Sequence, residues 1–101
     1  MSTHNELHVV MNCCRCGVQN TFSLEVFGGR GELLTYSIGD TVQWNTRGSP
    51  AKGGRPPEGC CTFSGYGVCD QCGKDFFVNV DIRNDVIVGV SCDHQRAPYI
   101  E

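Results

Sequence analysis

The sequence predicts a small all-β domain, mostly antiparallel, of about six strands. Three observations lead there. Residues 76–82 and 86–92 alternate apolar and other side chains with the period of a half-buried strand. No stripe of helical period runs through any stretch, so no amphipathic helix is expected. Finally, two short motifs, Cys13-Cys14-Arg15-Cys16-Gly17 and Cys69-Asp70-Gln71-Cys72-Gly73, each fall between β-like segments and so mark hairpin tips.

In chain order, residues 7–11 read as a short strand leading to the first cysteine motif. Residues 21–26 follow it and alternate strictly, with Phe22, Leu24 and Val26 on one face. Glycines 28, 29 and 31 mark a reversal. Residues 33–38 form the next β segment, which breaks at Gly39-Asp40 and is expected to resume over 41–44. There Val42 and Trp44 share a side, and Trp44 anchors the core. Residues 45–59, dense in Gly and Pro, form a flexible insertion loop, a length that is usually functional or mobile when it lacks structure. Residues 59–67 lead into the second motif as a glycine-loosened strand. The tail from Asp93 is polar and expected to pack loosely.

Periodicity also predicts a register for the last hairpin. A two-residue turn at Asn84-Asp85 would set Val80 opposite Gly89. A three-residue turn, Arg83-Asn84-Asp85, pairs Ile82 with Val86, Val80 with Val88 and Val78 with Val90, which keeps every apolar residue on one face. It is therefore the expected turn, and it places Cys92 on the inner face opposite Phe76.

At 101 residues the chain is expected to be a single domain, 1–101, with one modest core. No apolar run approaches the roughly 20 residues of a membrane-spanning helix. The polar start predicts no secretory leader, hence a cytoplasmic protein with reduced thiols. The net charge of −3 argues against nucleic-acid binding by general electrostatics. One local basic patch exists: residues 45–59 carry Arg47, Lys52 and Arg55 against Glu58 alone.

The chemistry lies in the eight cysteines. Two cysteines three positions apart can both reach one ion if the chain between them turns tightly. Glycine after the second lets the turn continue through positive φ and lets amides point at the thiolates. Found twice, the pattern assigns Cys13, Cys16, Cys69 and Cys72 to one metal ion, zinc first and iron as the alternative. Arg15 and Lys74 are placed to offset the negative charge of four thiolates. Structural zinc supplies about 10–16 kcal/mol in small zinc peptides, so removing it is expected to unfold or severely loosen the domain. Cys14, Cys60, Cys61 and Cys92 remain. With His94 they could build a second site, but the favoured expectation is that they act as small buried hydrophobes.

These motifs, with their flanking strands, resemble a zinc ribbon, the family in which two β-hairpin tips of the form Cys-x-x-Cys-Gly clasp zinc. The resemblance implies a metal-ligand role for Cys13, Cys16, Cys69 and Cys72. Rubredoxins, which hold iron for electron transfer, look similar at the same tips.

Fold does not decide function here. The leading expectation is a non-enzymatic zinc module for protein–protein contact, through residues 45–59 or the exposed side of the central strands. One alternative is nucleic-acid binding through Arg47, Lys52 and Arg55 with Trp44 or Tyr66 as stacking groups. Electron transfer through iron is another. Catalysis is not expected, because four thiolates close the metal and His4, His8 and His94 belong to no acid–base motif.

Overall fold

The computed structural model describes residues 5–28, 34–44 and 54–99. Six strands form one mixed sheet: β1 (Asn5–Asn12), β2 (Gln19–Phe27), β3 (Thr35–Ser37), β4 (Cys61–Val68), β5 (Asp75–Arg83) and β6 (Val86–Cys92). Their spatial order is β3-β1-β2-β4-β5-β6. Neighbours are antiparallel, except that β3 runs parallel to β1. Among the described residues the only helical element is a 3-10 turn, Pro57–Gly59.

The hairpins β1–β2 and β4–β5 carry the two cysteine motifs at the same end of the sheet. They pair with each other only from Glu25↔Tyr66 to Phe27↔Ser64, away from those tips. Nearer the tips, β2 and β4 no longer pair, and side chains fill the space between them. Gly67 permits the approach, since a Cβ there would lie 2.5 Å from Leu24 Cδ2 and 3.1 Å from Phe76. The sheet thus leaves its tips to be joined by something other than strand pairing.

Beneath the sheet sits one apolar core, built on Leu7, Phe22, Leu24, Val26, Phe63, Val78, Val80, Ile82 and Ile87. Phe22 and Phe76 meet edge to face at 5.4 Å, locking the two hairpins near the cysteines. Each such aliphatic or aromatic side chain is worth about 1.5–3 kcal/mol on burial. The far edges of the sheet also meet: Gly39 N donates to Ile87 O, Ile87 N to Asp40 O, and Val42 N to Asp85 O.

Several expectations are corrected here. Residues 41–44 do not resume a strand; they contribute the single bridge Thr41↔Val86. The β segment at 33–38 shortens to Thr35–Ser37, with residue 33 outside the described residues. Val42 and Trp44 do both reach the core, Val42 buried and Trp44 packed at its margin, 5.6 Å from Phe63.

The last hairpin turns over two residues, not three. Asn84 and Asp85 both take left-handed φ, 50° and 68°, and Arg83 pairs with Val86 and Ile82 with Ile87. A bulge then skips Val88, so that Asp81 meets Gly89 and Val80 meets Val90. The extra residue restores the apolar phase that a two-residue turn alone would lose. Val88 consequently stands exposed, and Cys92 lies opposite Val78 rather than Phe76.

The tail is not loose. Asp93 N donates to Phe77 O, Tyr99 N donates to Asp75 Oδ2, and the Arg96 guanidinium lies 4.1 Å above the Phe77 ring. Tyr66, Phe77 and Tyr99 cluster beneath it, with ring centroids 5.1–5.8 Å apart. Of the expected insertion loop, residues 45–53, with Arg47 and Lys52, lie outside the described residues. Residues 54–59 are tied down, since Asp85 N donates to Gly59 O and Arg55 pairs with Asp85.

Candidate metal centre

The two cysteine turns share one local geometry. In the first, Cys13 N donates to Val18 O at 2.9 Å and Gly17 N to Cys13 O at 3.0 Å. In the second, Cys69 N donates to Lys74 O at 2.9 Å and Gly73 N to Cys69 O at 2.8 Å. Gly17 and Gly73 take φ of 77° and 70°. That is the left-handed region glycine enters at least cost, which explains a glycine after each pair. Amides of Arg15 and Cys16 point at Cys13 Sγ, at 3.3 and 3.4 Å.

These turns bring Cys13, Cys16, Cys69 and Cys72 together, their sulfurs all within 4.8 Å of one another. Cys13 Sγ lies 3.9 Å from Cys72 Sγ, and Cys16 Sγ lies 3.8 Å from Cys69 Sγ. A tetrahedron with metal–sulfur bonds of about 2.3 Å has edges of about 3.8 Å, so the cluster fits a four-thiolate ion. Cys13 and Cys69 are buried, whereas Cys16 is exposed. Each hairpin therefore supplies an inner and an outer ligand.

The two cysteines of the first turn are pushed in opposite directions. Burial pushes the Cys13 thiol up, but the amides of Cys16 and Arg15 and the sulfurs of Cys16 and Cys69 outweigh it, taking the group down to about 7. Cys16 moves the other way, to about 11: the Val18 amide lowers it, but desolvation and the sulfurs of Cys13, Cys69 and Cys72 prevail. Four sulfurs this close do not all ionise without a cation among them. The donor set is thus one that a metal completes, zinc or iron alike by ligand type.

Arg15, placed by the sequence to offset the thiolate charge, reaches across to Asp75. Its Nη1 donates to Asp75 O at 2.8 Å and lies 3.7 Å from the Asp75 carboxylate. Asp75 is fully buried, and its Oδ2 also accepts from Tyr66 Oη at 2.8 Å and from Tyr99 N. Burial first, then this hydrogen bond and the nearby negative charge, push the Tyr66 hydroxyl up to about 12. Lys74, the other expected counter-charge, enters the turn through its backbone carbonyl.

Cys14 and Cys92 form a disulfide across 78 residues, which corrects the expectation of reduced, purely apolar thiols at these positions. Cys60 and Cys61 are free. His94 is exposed and joins no metal cluster among the described residues, and His8 sits 3.4 Å from Glu6 on the open face of β1. Four consecutive residues of one turn thus reach three places: Cys13 and Cys16 the metal cluster, Cys14 the end of β6, and Arg15 the start of β5.

Sequence reasoning passed over Asp75 and the Cys14–Cys92 pair. Asp75 had a signal, as a carboxylate directly ahead of the apolar run Phe76-Phe77-Val78, where only a satisfied charge is tolerated. The disulfide had none, because only the strand order brings β6 round to the first hairpin. Compared with family models, with curated proteins and with solved structures, the chain matches none of them.

Proposed function

We propose that this protein is a small non-catalytic zinc module of the zinc-ribbon kind, in which the metal clasps two hairpins and the β surface they carry meets another protein. The observation that carries the proposal is the convergence of Cys13, Cys16, Cys69 and Cys72 from two hairpin tips whose strands do not pair beside them. When bound, the ion supplies cross-linking. With four protein thiolates there is no open position for substrate or activated water, which is why we assign no catalysis.

The residues suggested for nucleic-acid stacking have inward commitments. Trp44 Nε1 donates to Asp85 Oδ1, Tyr66 Oη to Asp75, and Arg55 pairs with Asp85 through two nitrogens. This favours a protein partner over a polynucleotide. Of the exposed faces expected to make contact, that of β4–β5 is covered by the tail at Tyr66 and Phe77. The exposed face of β1–β2 remains, with His8, Ser23 and Glu25 around the apolar Val10 and Phe27. No helix among the described residues is long and apolar enough to cross a membrane, and the Cys14–Cys92 disulfide removes the reduced thiols on which a cytoplasmic placement rested.

Elemental analysis of protein purified without added metal tests the first half of the proposal. One zinc per chain and a colourless solution support it; visible ferric–thiolate absorption means iron, and no metal at all defeats it. For the second half, partner capture is compared between the wild type and Val10→Asp, with metal content as the fold control. A partner set unchanged by Val10→Asp rejects the β1–β2 face.

A further inference from the structure

Beside the first cysteine turn lies a cavity of about 290 Å³ that the metal clasp does not use. Its walls include both sulfur-bearing residues of the disulfide, Cys14 and Cys92, together with Arg15, Phe77, His94 and Arg96. The two cysteines are partly exposed, and His94 and Arg96 stand in solvent at the rim. This volume is near the lower end of the roughly 300–1,000 Å³ typical of small-molecule pockets.

The geometry points to a site where a small anionic thiol exchanges with the Cys14–Cys92 disulfide. Arg96 is fixed at the rim by its stacking on Phe77, so a cation stands over the approach to the disulfide. Asp93 is the one carboxylate in the wall; Arg15 is committed to the buried Asp75, which leaves Arg96 as the cation at the rim. A thiol carrying a second, negatively charged group would set that group at Arg96 and its sulfur at the disulfide.

The step balances without any further reagent. The incoming thiolate attacks Cys92 Sγ, whose residue shares the cavity wall with His94 and Arg96. A sulfur–sulfur bond forms there, the Cys14–Cys92 bond breaks, and its electron pair leaves on Cys14 Sγ. A second equivalent of the thiol then attacks the mixed disulfide, giving free Cys92 and the symmetrical disulfide of the thiol. Cys60 and Cys61 line a separate cavity and take no part. This proposal does not depend on which metal the four-cysteine cluster holds.

The test uses two thiols of similar size and opposite charge, 2-mercaptoethanesulfonate and cysteamine, on the oxidised, metal-loaded protein. Free thiols are blocked at timed intervals with N-ethylmaleimide, and adducts are mapped by peptide mass spectrometry. With rates corrected for thiolate fraction, the sulfonate is expected to react on the order of tenfold faster, leaving its adduct on Cys92 and N-ethylmaleimide on Cys14. Arg96→Glu should abolish the preference and Arg96→Lys should keep it, both with unchanged metal content. Equal rates for the two thiols, a preference that survives Arg96→Glu, or an adduct elsewhere than Cys92 would overturn the proposal.

Discussion

Arg15, inside the first cysteine turn, donates at 2.8 Å to the carbonyl of Asp75, the residue that opens the strand after the second turn. This bond ties the two hairpins together without metal. It also locates the carboxylate that Tyr66 and the Tyr99 amide share. Truncation to Asp75→Ala would keep the carbonyl that Arg15 binds but leave the Tyr66 hydroxyl and the Tyr99 amide without their shared acceptor. Urea unfolding of the metal-loaded variant should show a loss of about 1–3 kcal/mol, the cost of leaving buried hydrogen-bond donors without their acceptor. A loss under about 1 kcal/mol would mean the hub contributes little.

The disulfide changes the expected response to metal removal. From sequence alone, only a small core besides the metal joins the distant hairpins, and losing the metal should unfold or severely loosen the domain. In the structure the first turn is also held to β6 through Cys14–Cys92 and to β5 through Arg15. Chelation of the oxidised protein should therefore lower the melting temperature yet leave a cooperative transition, followed by circular dichroism. Chelation with reduction should abolish it, because a disulfide typically adds about 2–4 kcal/mol. Complete unfolding on chelation alone, with the disulfide intact, would contradict this.

Glycine substitutions separate two kinds of cost. A Cβ on Gly73 meets nothing within 4 Å, so Gly73→Ala carries only the left-handed backbone penalty, about 1–2 kcal/mol. A Cβ on Gly67 would press on Leu24 and Phe76 between the hairpins. Gly67→Ala should cost more, about 1–3 kcal/mol from overpacking, and should broaden the core signals in a methyl NMR spectrum, which Gly73→Ala should not do.

Acid should loosen the Trp44 corner. The Asp85 carboxyl is held below its ordinary value by the hydrogen bond from Arg55, against some desolvation and with help from Trp44. A depressed carboxylate contributes stability above its unfolded pKa and loses it as pH falls through the folded one. Fluorescence of Trp44, the single tryptophan, should report a transition below about pH 4. Asp85→Asn should remove that step.

Much of this fold was legible because its signals are local. The alternation of Phe22, Leu24 and Val26 and the repeated Cys-x-x-Cys-Gly are complete within a few residues, and each led to the right strand or turn. What escaped depended on residues far apart. The bulge at Val88 restores a phase that periodicity alone assigned to a longer turn. The pairing of Cys14 with Cys92 follows from strand order, and the value of Asp75 comes from Arg15, Tyr66 and Tyr99 arriving from three other segments. The tail was misjudged for the same reason: Arg96 and Tyr99 find their apolar partner, Phe77, on another strand.

The central claim is that Cys13, Cys16, Cys69 and Cys72 hold one ion between two hairpin tips. Titration of the metal-free protein with cobalt(II) tests it most directly, since tetrahedral four-thiolate cobalt has intense visible ligand-field bands. The account predicts that these bands saturate at one equivalent per chain, and that Cys69→Ser in the second turn weakens them as much as Cys16→Ser in the first. Bands that fail to appear, or that persist unchanged when either turn loses a cysteine, would contradict it.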